Sequence, residues 1–472
     1  MAWTMRTVWA SLAALVVAAA PLRAETLADA LAYGYEASGL LEQNRALLRV
    51  ADEDVAQAVS ALLPVINWVV DANAFIPASP PPFSLEPLIP AQPDTRDLVG
   101  DVELRATLSL SASLLLYDNG ATRLAIDAQK ETVLATRQSL LDVEQQVLYR
   151  IVEAYVDLQR AQEFVTLREN NVRLITEQLR AARDRFEVGE VTLTDVAQAE
   201  ARLAAAQTEL AVEQGAYFRA VEEFRAAVGR APGNLEPAPP VGVTRSIPEA
   251  KGIALRNHPA LLQAQHNVMA AELTILRAEA ALDPTISLSA EVGMTEDFED
   301  SGRLGLRLSG PIYQGGRLSS QVRQAIARRD AARSALLVTS QRIEQNVANA
   351  YSFLEVARAN IVATAEGVRA ARKAFEGIRE EATLGARTTL DVLDAEQELL
   401  DARANQISAQ YEETKASYAL LATMGLLTAE DLNLRVQIYD PTAYYNLVDD
   451  APARLSPQGE ALDRVLEAIG SP

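Results

Sequence analysis

The sequence predicts an α+β membrane protein in which a trimeric β-barrel, with four strands from each chain, continues into long helices. Three observations lead to this prediction. The chain is an internal duplication, each copy carries two long strands of alternating polarity, and each pair of strands is followed by a very long run without proline. A repeat of this length is examined before local structure because it organises the whole fold.

The duplication is visible at two offsets. At an offset of 220 residues, Pro64 aligns with Pro284, and at an offset of 196 residues the chain aligns without gaps from Tyr117 to Gly229. The change from 220 to 196 places an insertion of 24 residues in the first copy, at residues 75–103. Its many prolines disfavour helix and sheet, so we expect a long extracellular loop.

Four segments alternate between apolar and polar residues, as strands with one face against each environment do. They are residues 66–74 and 104–116 in the first copy, and 286–294 and 304–312 in the second. A period of two over this length indicates strands. A soluble sheet with one buried face is the commoner cause of alternation, but the N-terminal signal and the long loop favour a transmembrane barrel, with lipid outside and water inside.

Four strands are too few to close a barrel, for which about eight is the smallest workable number. An open edge in lipid leaves unpaired N–H and C=O groups, each costing several kcal/mol. The chain must therefore share its barrel with copies of itself. Three copies give twelve strands, an even number within the known range.

The remaining segments predict helices. In each copy a helix of about 35 residues ends at Pro64 or Pro284. After the strands come proline-free helices over 121–186 and 318–383, which return after a short turn to about Val228 and Met424. A helix of roughly 66 residues is about 100 Å long, which is typical of a coiled coil or a tube wall.

The passage from barrel to helical tube falls at "YDNG" and "PIYQGG". Glycine tolerates unusual dihedrals, proline fits where strand pairing stops, and tyrosine is favoured at a membrane interface. The predicted corner residues are Tyr117, Gly120, Pro311, Tyr313, Gly315 and Gly316.

Composition excludes several functions. A net charge of −21 argues against nucleic-acid binding, and the absence of cysteine excludes disulfides and thiolate chemistry. The two histidines, His258 and His266, are better explained as ordinary surface or interface residues than as a metal site. No catalytic motif is present, so we expect no enzyme activity, no cofactor and no metal.

The first 24 residues have the pattern of a secretory signal peptide. Arg6 supplies the positive charge, 8–20 is an apolar run too short to span a bilayer, and Ala24 suits cleavage. The protein is therefore expected to be exported.

Both helical turns carry the same short pattern. Gly189 is followed by Thr192 and Asp195, and the second copy repeats the pattern as Gly385, Thr388 and Asp391. Glycine can end the first helix and Thr-x-x-Asp can open the next as a capping box. Capping does not explain the differences between the copies: only the second has arginine at position 387, where the first has Val191, and aspartate at position 394, where the first has Gln198.

The motifs "PIYQGGRLSSQVRQA" and "LGARTTLDVLDAEQELL" resemble those of the TolC family of outer-membrane exit ducts, and the resemblance covers nearly the whole mature chain. It implies a homotrimer whose twelve-stranded barrel in the outer-membrane lipid continues into a twelve-helix periplasmic tunnel with a mixed equatorial belt. It also implies a periplasmic adaptor and an inner-membrane ABC or RND pump as partners.

The segment "VQIYDPTAYYNLV" at 436–448 is similar to the type I secretion branch of that family. Multidrug efflux is the alternative within the family. A non-channel periplasmic coiled-coil scaffold or adaptor is a rival of another class, although no lipoyl-like module is found. An exported hydrolase is a further rival that lacks a catalytic set.

The resemblance also implies roles at the helical turns. Arg387 would form a gating latch with Thr194 and Asp195, and Asp391 with Asp394 would form an acidic constriction. The turn residues Gly189, Thr192, Gly385 and Thr388 would contact the adaptor. The family often has tyrosine at a latch position that is Ala382 here, so part of the latch differs.

The expected organisation has five parts. They are a signal peptide (1–24), a first repeat (25–229), an equatorial linker (230–246), a second repeat (247–427), and a C-terminal equatorial segment ending in a loose tail (428–472).

Overall fold

A computed structural model describes residues 24–75, 103–242, 246–295, 300–454 and 456–470. The expected signal peptide and extracellular loop lie almost wholly outside these residues. The helices within the repeats are α1 (Leu27–Ala37), α2 (Gly39–Ser60), α3 (Ala121–Glu187), α4 (Leu193–Val228), α5 (Ile247–Asn257), α6 (Pro259–Ala280), α7 (Arg317–Thr383) and α8 (Thr389–Thr423). The strands are β1 (Val65–Phe75), β2 (Glu103–Tyr117), β3 (Thr285–Thr295) and β4 (Asp300–Ser309), and the C-terminal segment adds α9 (Tyr445–Val448) and α10 (Pro457–Gly470).

The four strands form one antiparallel sheet in the order β1-β2-β3-β4, which confirms the predicted four strands per chain. The register carries each apolar position across the sheet: Ile66 lies opposite Ala112, Ala112 opposite Ala290, and Ala290 opposite Leu304. The resulting apolar face is uncovered in the described chain, where Trp68 is 73% exposed. An uncovered apolar face of this kind is suited to lipid.

The sheet is irregular at the end of β2. Leu115 lies opposite Ser287 and Tyr117 opposite Ile286, so Leu116 is an extra residue in a β-bulge. A bulge reverses the alternation beyond it. Tyr117 therefore pairs with a residue of the apolar face. The strand predicted at 304–312 also ends early, at Ser309, because Pro311 cannot donate to a ladder, and Ile312 lies outside it.

The helix predicted before each first strand is divided in two, so the prediction of one continuous helix is wrong in both copies. The break falls at Ser38 and at His258, both in extended conformation. His258 precedes Pro259, and a residue before proline is pushed out of the helical region. Each break residue then caps the following helix: Ser38 Oγ accepts from Leu41 N at 3.3 Å and His258 Nδ1 accepts from Ala260 N at 3.2 Å.

By contrast, α3 and α7 each run unbroken for 67 residues, as predicted. In the described part of the chain, no helix combines the length and the apolar character that crossing a bilayer requires.

One compact unit comprises the described parts of 1–47, 137–263 and 337–440. Its core includes the rings of Tyr155 and Phe224, whose centroids are 6.3 Å apart. The Tyr155 hydroxyl lies 2.7 Å from the Glu25 carbonyl oxygen and 2.6 Å from that of Glu236. The Glu25 carboxylate accepts from Arg230 Nη2 at 2.7 Å. The first residue after the expected signal peptide is thus built into this core.

The other unit comprises the described parts of 48–136, 264–336 and 441–472, and contains the sheet. The sequence predicts a loose tail here, but the structure has helix α10. Leu462 of α10 packs against a cluster of Ala56, Tyr444 and Val448, and the Tyr444 hydroxyl donates to Glu53 Oε1 at 2.6 Å. Apolar residues spaced along α10 give it one face that can be buried, which the polar composition of the tail concealed.

Gly425 and Gly385 offer a matched test of how closely the chain packs against the break between α5 and α6. Both have φ of +77°, but a Cβ on Gly425 would lie 2.8 Å from His258 Cα, whereas a Cβ on Gly385 would meet open space. Gly385→Ala should cost about 1 kcal/mol of backbone strain. Gly425→Ala should lower the thermal unfolding temperature of the detergent-solubilised protein clearly more. Equal shifts would show that contact with the α5–α6 break does not limit residue size.

Candidate functional site at the helical turns

The turn between α3 and α4 is closed by backbone and side-chain hydrogen bonds. Gly189 adopts φ of +80°, and Glu190 N donates to Arg185 O at 2.9 Å. Thr192 and Asp195 form the predicted capping box: Asp195 N donates to Thr192 Oγ1 at 3.3 Å, and Thr192 N donates to Asp195 Oδ2 at 2.8 Å. The turn is therefore ordered by its own residues.

The turn between α7 and α8 repeats this geometry. Gly385 adopts φ of +77°, and Ala386 N donates to Glu381 O at 2.9 Å. Asp391 N donates to Thr388 Oγ1 at 3.2 Å, and Thr388 N donates to Asp391 Oδ2 at 2.8 Å. The second predicted capping box is therefore also present.

The caps hold both aspartates in their charged form. The side-chain and backbone hydrogen bonds from Thr192 lower the pKa of Asp195, and the backbone and side-chain hydrogen bonds from Thr388 lower the pKa of Asp391. Hydrogen bonds to a carboxylate favour its ionised form. Each turn thus presents a fixed negative charge at the N-terminus of a helix, where the helix dipole also favours it.

Arg387 lies in the second turn and binds within its own hairpin. Its Nε donates to Glu381 Oε2 at 2.9 Å, and both side chains are about half exposed. Thr194 and Asp195, the expected latch partners, are in the first turn, and Thr194 is exposed. In this chain Arg387 therefore binds Glu381 rather than the expected latch residues.

Asp394 lies one turn along α8 from Asp391, and its carboxylate accepts a hydrogen bond from Arg202 of α4. Nearby, Glu396 of α8 accepts from Gln178 of α3. These two contacts join second-copy and first-copy helices. Reasoning from the sequence missed Arg202, Gln178 and Glu396, although a charge difference between the copies, Arg202 against Glu398, was a signal that could have found the first of them.

Apolar side chains pack each hairpin close to its turn. Leu179 and Ala182 of α3 pack with Val196 and Ala199 of α4. In the second copy Phe375 and Val368 of α7 pack with residues of α8, namely Ala395 and Leu399. The polar contacts between the hairpins are therefore added to two separately packed pairs of helices.

Of the predicted corner residues, Tyr117 is the last residue of β2, and the others lie between each strand pair and the helix that follows. Gly120 and Gly316 both have φ of +82°, and Gly315 has φ of +59°. Asp118 caps α3, accepting from Thr122 N at 2.6 Å and Gly120 N at 3.1 Å. Pro311 precedes two fully or largely exposed residues, Ile312 and Tyr313.

The two histidines are not joined to one another. His258 is at the helix break, and His266 Nδ1 lies 2.8 Å from Glu131 Oε2. Among the residues that the structure describes, no group of three histidine, cysteine, aspartate or glutamate side chains is arranged to hold a metal ion.

A sheet with an uncovered apolar face, followed in each repeat by a helix of 67 residues, defines the class of outer-membrane channels with a helical extension. The chain belongs to the outer membrane efflux protein family, whose model matches residues 36–230 and 252–426. It is therefore an outer-membrane efflux channel of the TolC family that extends into the periplasm, and a transport protein rather than an enzyme.

The outer membrane efflux protein BepC of Brucella suis is 34% identical over 438 residues, covering 90% of this chain and 91% of that protein. The proteases secretion protein PrtF of Dickeya chrysanthemi is 25% identical, covering 84% and 90%. The crystal structure of the CmeC outer membrane channel of Campylobacter jejuni superposes with a TM-score of 0.74 at 15% identity, covering 90% of each chain. The structural likeness confirms the fold of four strands and long helices.

The capping boxes predict a local stability effect. Thr192→Ala or Thr388→Ala should destabilise the first turn of α4 or α8 by about 1 kcal/mol, since the side-chain acceptor is lost. Hydrogen exchange of that turn should accelerate about fivefold, the factor that corresponds to about 1 kcal/mol.

The same caps predict a pH dependence. Because the aspartate pKa values are lowered, the stabilisation is complete above the ordinary aspartate pKa and is lost as pH falls through the lowered value. If the protection of these first-turn amides against hydrogen exchange does not decline in acid, the assignment of both carboxylates as caps is wrong.

Proposed function

We propose that three copies of this chain form one twelve-stranded barrel and a twelve-helix tunnel that serve as the exit duct of a tripartite export machine. The observation that carries the proposal is the four-stranded sheet. In the described chain β1 and β4 each have one neighbour, and the apolar face is uncovered. Neighbouring copies would pair these edges and leave the apolar face to lipid.

A periplasmic adaptor and an inner-membrane ABC or RND pump would complete the machine. Type I secretion of proteins is the preferred role, supported by the likeness to PrtF, a protease secretion protein. Multidrug efflux is the second candidate, supported by the higher identity to BepC, named as an efflux protein. The proposed organisation keeps the expected boundaries: a signal peptide at 1–24, repeats at 25–229 and 247–427, and equatorial segments at 230–246 and 428–472.

The duct is tested by mass and conductance together. The detergent-solubilised mature protein should have the mass of a trimer and should form cation-conducting channels in planar bilayers. A stable monomer that forms no channels would refute the trimeric barrel. Crosslinking in cells, followed by identification of the captured adaptor and pump, distinguishes secretion from drug efflux.

Asp391 and Asp394 are proposed to line the constriction. Threefold symmetry would bring six carboxylates together, and such rings favour cations. Replacing both residues with asparagine, which can preserve the cap at position 391, should weaken cation selectivity and abolish block by multivalent cations. Glu376→Gln on α7 is the control. Because Arg202 binds Asp394, Arg202→Gln should strengthen cation selectivity, and unchanged selectivity in the double variant would refute the ring.

Arg387 is proposed to latch the closed turns through Thr194 and Asp195. The guanidinium has five N–H donors and one is given to Glu381, so others remain for a bidentate hydrogen bond. Ala382 supplies no hydroxyl, which leaves more of the latch to Arg387.

Arg387→Ser should increase the open population roughly tenfold or more, because three copies act on one equilibrium. Conductance in bilayers should rise and cells should become sensitive to large antibiotics such as vancomycin, while Arg387→Lys should be intermediate. If Arg387→Ser behaves as the parent and Glu381→Gln does too, Arg387 is only a solvated turn residue.

A further inference from the structure

Glu396 is a carboxylic acid placed inside a helix contact. It lies in α8 two residues after Asp394 but, at 5% exposure, is buried where Asp394 is exposed. Its Oε2 accepts a hydrogen bond from Nε2 of Gln178 on α3. The contact joins residues 218 positions apart in the chain, one in each repeat. None of the roles argued above uses it.

Each of the two side chains, Glu396 and Gln178, has one oxygen outside this hydrogen bond. Glu396 Oε1 and Gln178 Oε1 are both buried, and neither has a hydrogen-bond partner. An ionised carboxylate would make both oxygens acceptors without a donor, which is unfavourable for buried groups. One proton on the carboxyl group supplies the missing donor, since a protonated acid donates one O–H.

We propose that Glu396 is protonated in this packing and that its Oε1–H donates to Gln178 Oε1, completing a cyclic acid–amide pair that ties α8 to α3. The pair has two hydrogen bonds, one from the amide to the acid and one from the acid to the amide. Loss of the proton removes the second bond and leaves a buried negative charge. Ionisation therefore favours separation of α8 from α3.

The surroundings agree with a neutral acid. Burial raises the pKa of Glu396, the Gln178 hydrogen bond opposes this, and no charged side chain of the described residues contributes. The same stretch of α8 meets apolar side chains of α7, including Phe375 and Ile378. On the other two helices, Arg202 of α4 is engaged by Asp394, and Arg183 of α3 by Glu200.

The duplication provides an internal comparison. Glu200 occupies the position equivalent to Glu396 in the first copy. It binds Arg183 at 2.6 Å and half of its side chain is exposed, so it has a cationic partner and access to water. Glu144 is another buried acid whose pKa is raised, and it accepts from Ala429 N at 2.7 Å. Glu396 differs because its partner is the side-chain amide of Gln178, whose oxygen can also accept a hydrogen bond.

The direction of the pH effect follows from linkage. The pKa of Glu396 is raised in the packed state, so the tie is complete below the ordinary glutamate value and is lost as pH rises through the raised value. Between these values the ratio of separated to packed states should increase on the order of tenfold per pH unit for each chain. In the proposed duct, higher pH would therefore favour opening.

The protonation state is tested first by infrared difference spectroscopy of the purified full-length protein. The parent-minus-Glu396→Gln spectrum should show the C=O band of a protonated carboxyl. As pH rises, that band should disappear with a midpoint above pH 4.5, the ordinary pKa of glutamate. The Glu200→Gln variant, the matched control, keeps Glu396 and should therefore retain this band. A midpoint for Glu396 at or below 4.5 would overturn the proposal, whatever the protein's transport function.

The coupling to α8 is tested by channel recordings across the same pH range. Glu396→Gln can form an amide–amide pair without a titrating proton, so its conductance should stay low and pH-independent. The parent and Glu200→Gln should open as pH rises, and Gln178→Leu should be more open than the parent at low pH. Identical pH profiles for the parent and Glu396→Gln would overturn the coupling, while absence of any channel in the parent would refute the proposed duct and not the infrared result.

Discussion

The unpaired backbone groups at the two edges of the sheet set the strongest constraint on this protein. A strand edge in hydrocarbon leaves N–H and C=O groups without partners, at several kcal/mol each. The duplication limits the exposure: β2 of the first repeat pairs with β3 of the second, so two hairpins that would have four edges become one sheet with two. In the proposed trimer, neighbouring chains would pair those two edges, and symmetric closure would satisfy them all with one repeated contact.

The proposed closure by copies accounts for how much of the fold could be predicted from the sequence. Each strand must keep an uninterrupted alternation because both of its faces meet uniform environments, and each wall helix must avoid proline over 67 residues. Both are local patterns with fixed periods, and the sequence predicted them closely. It failed where a local irregularity depends on packing. No proline lies next to the bulge at Leu116 or the helix break at Ser38, so the sequence gives no local signal for either. The break at His258 does have such a signal, because Pro259 follows it.

The candidate site likewise has one part that local sequence patterns predict and another that depends on packing. The capping boxes of Thr192 and Thr388 are formed by residues three positions apart, so spacing alone predicts them. Gln178, Arg202 and their partners on α8 are about 200 residues apart, and no short pattern connects them. Glu200 and Glu396 make the limit concrete: equivalent residues in equivalent repeats have opposite environments, because only the assembled hairpins decide which of them is buried.

The two contacts between the hairpins differ in what can weaken them. Arg202 and Asp394 are partly exposed ions, so their attraction is screened by salt, over a Debye length of about 8 Å at physiological ionic strength. The Gln178–Glu396 contact is buried, and screening barely reaches it, but it depends on a single proton. Because the apolar layers of the two hairpins are separate, these polar contacts can change without unpacking either hairpin. Ionic strength and pH therefore act on different links between the same two hairpins, and a channel held by both links can respond to the two conditions independently.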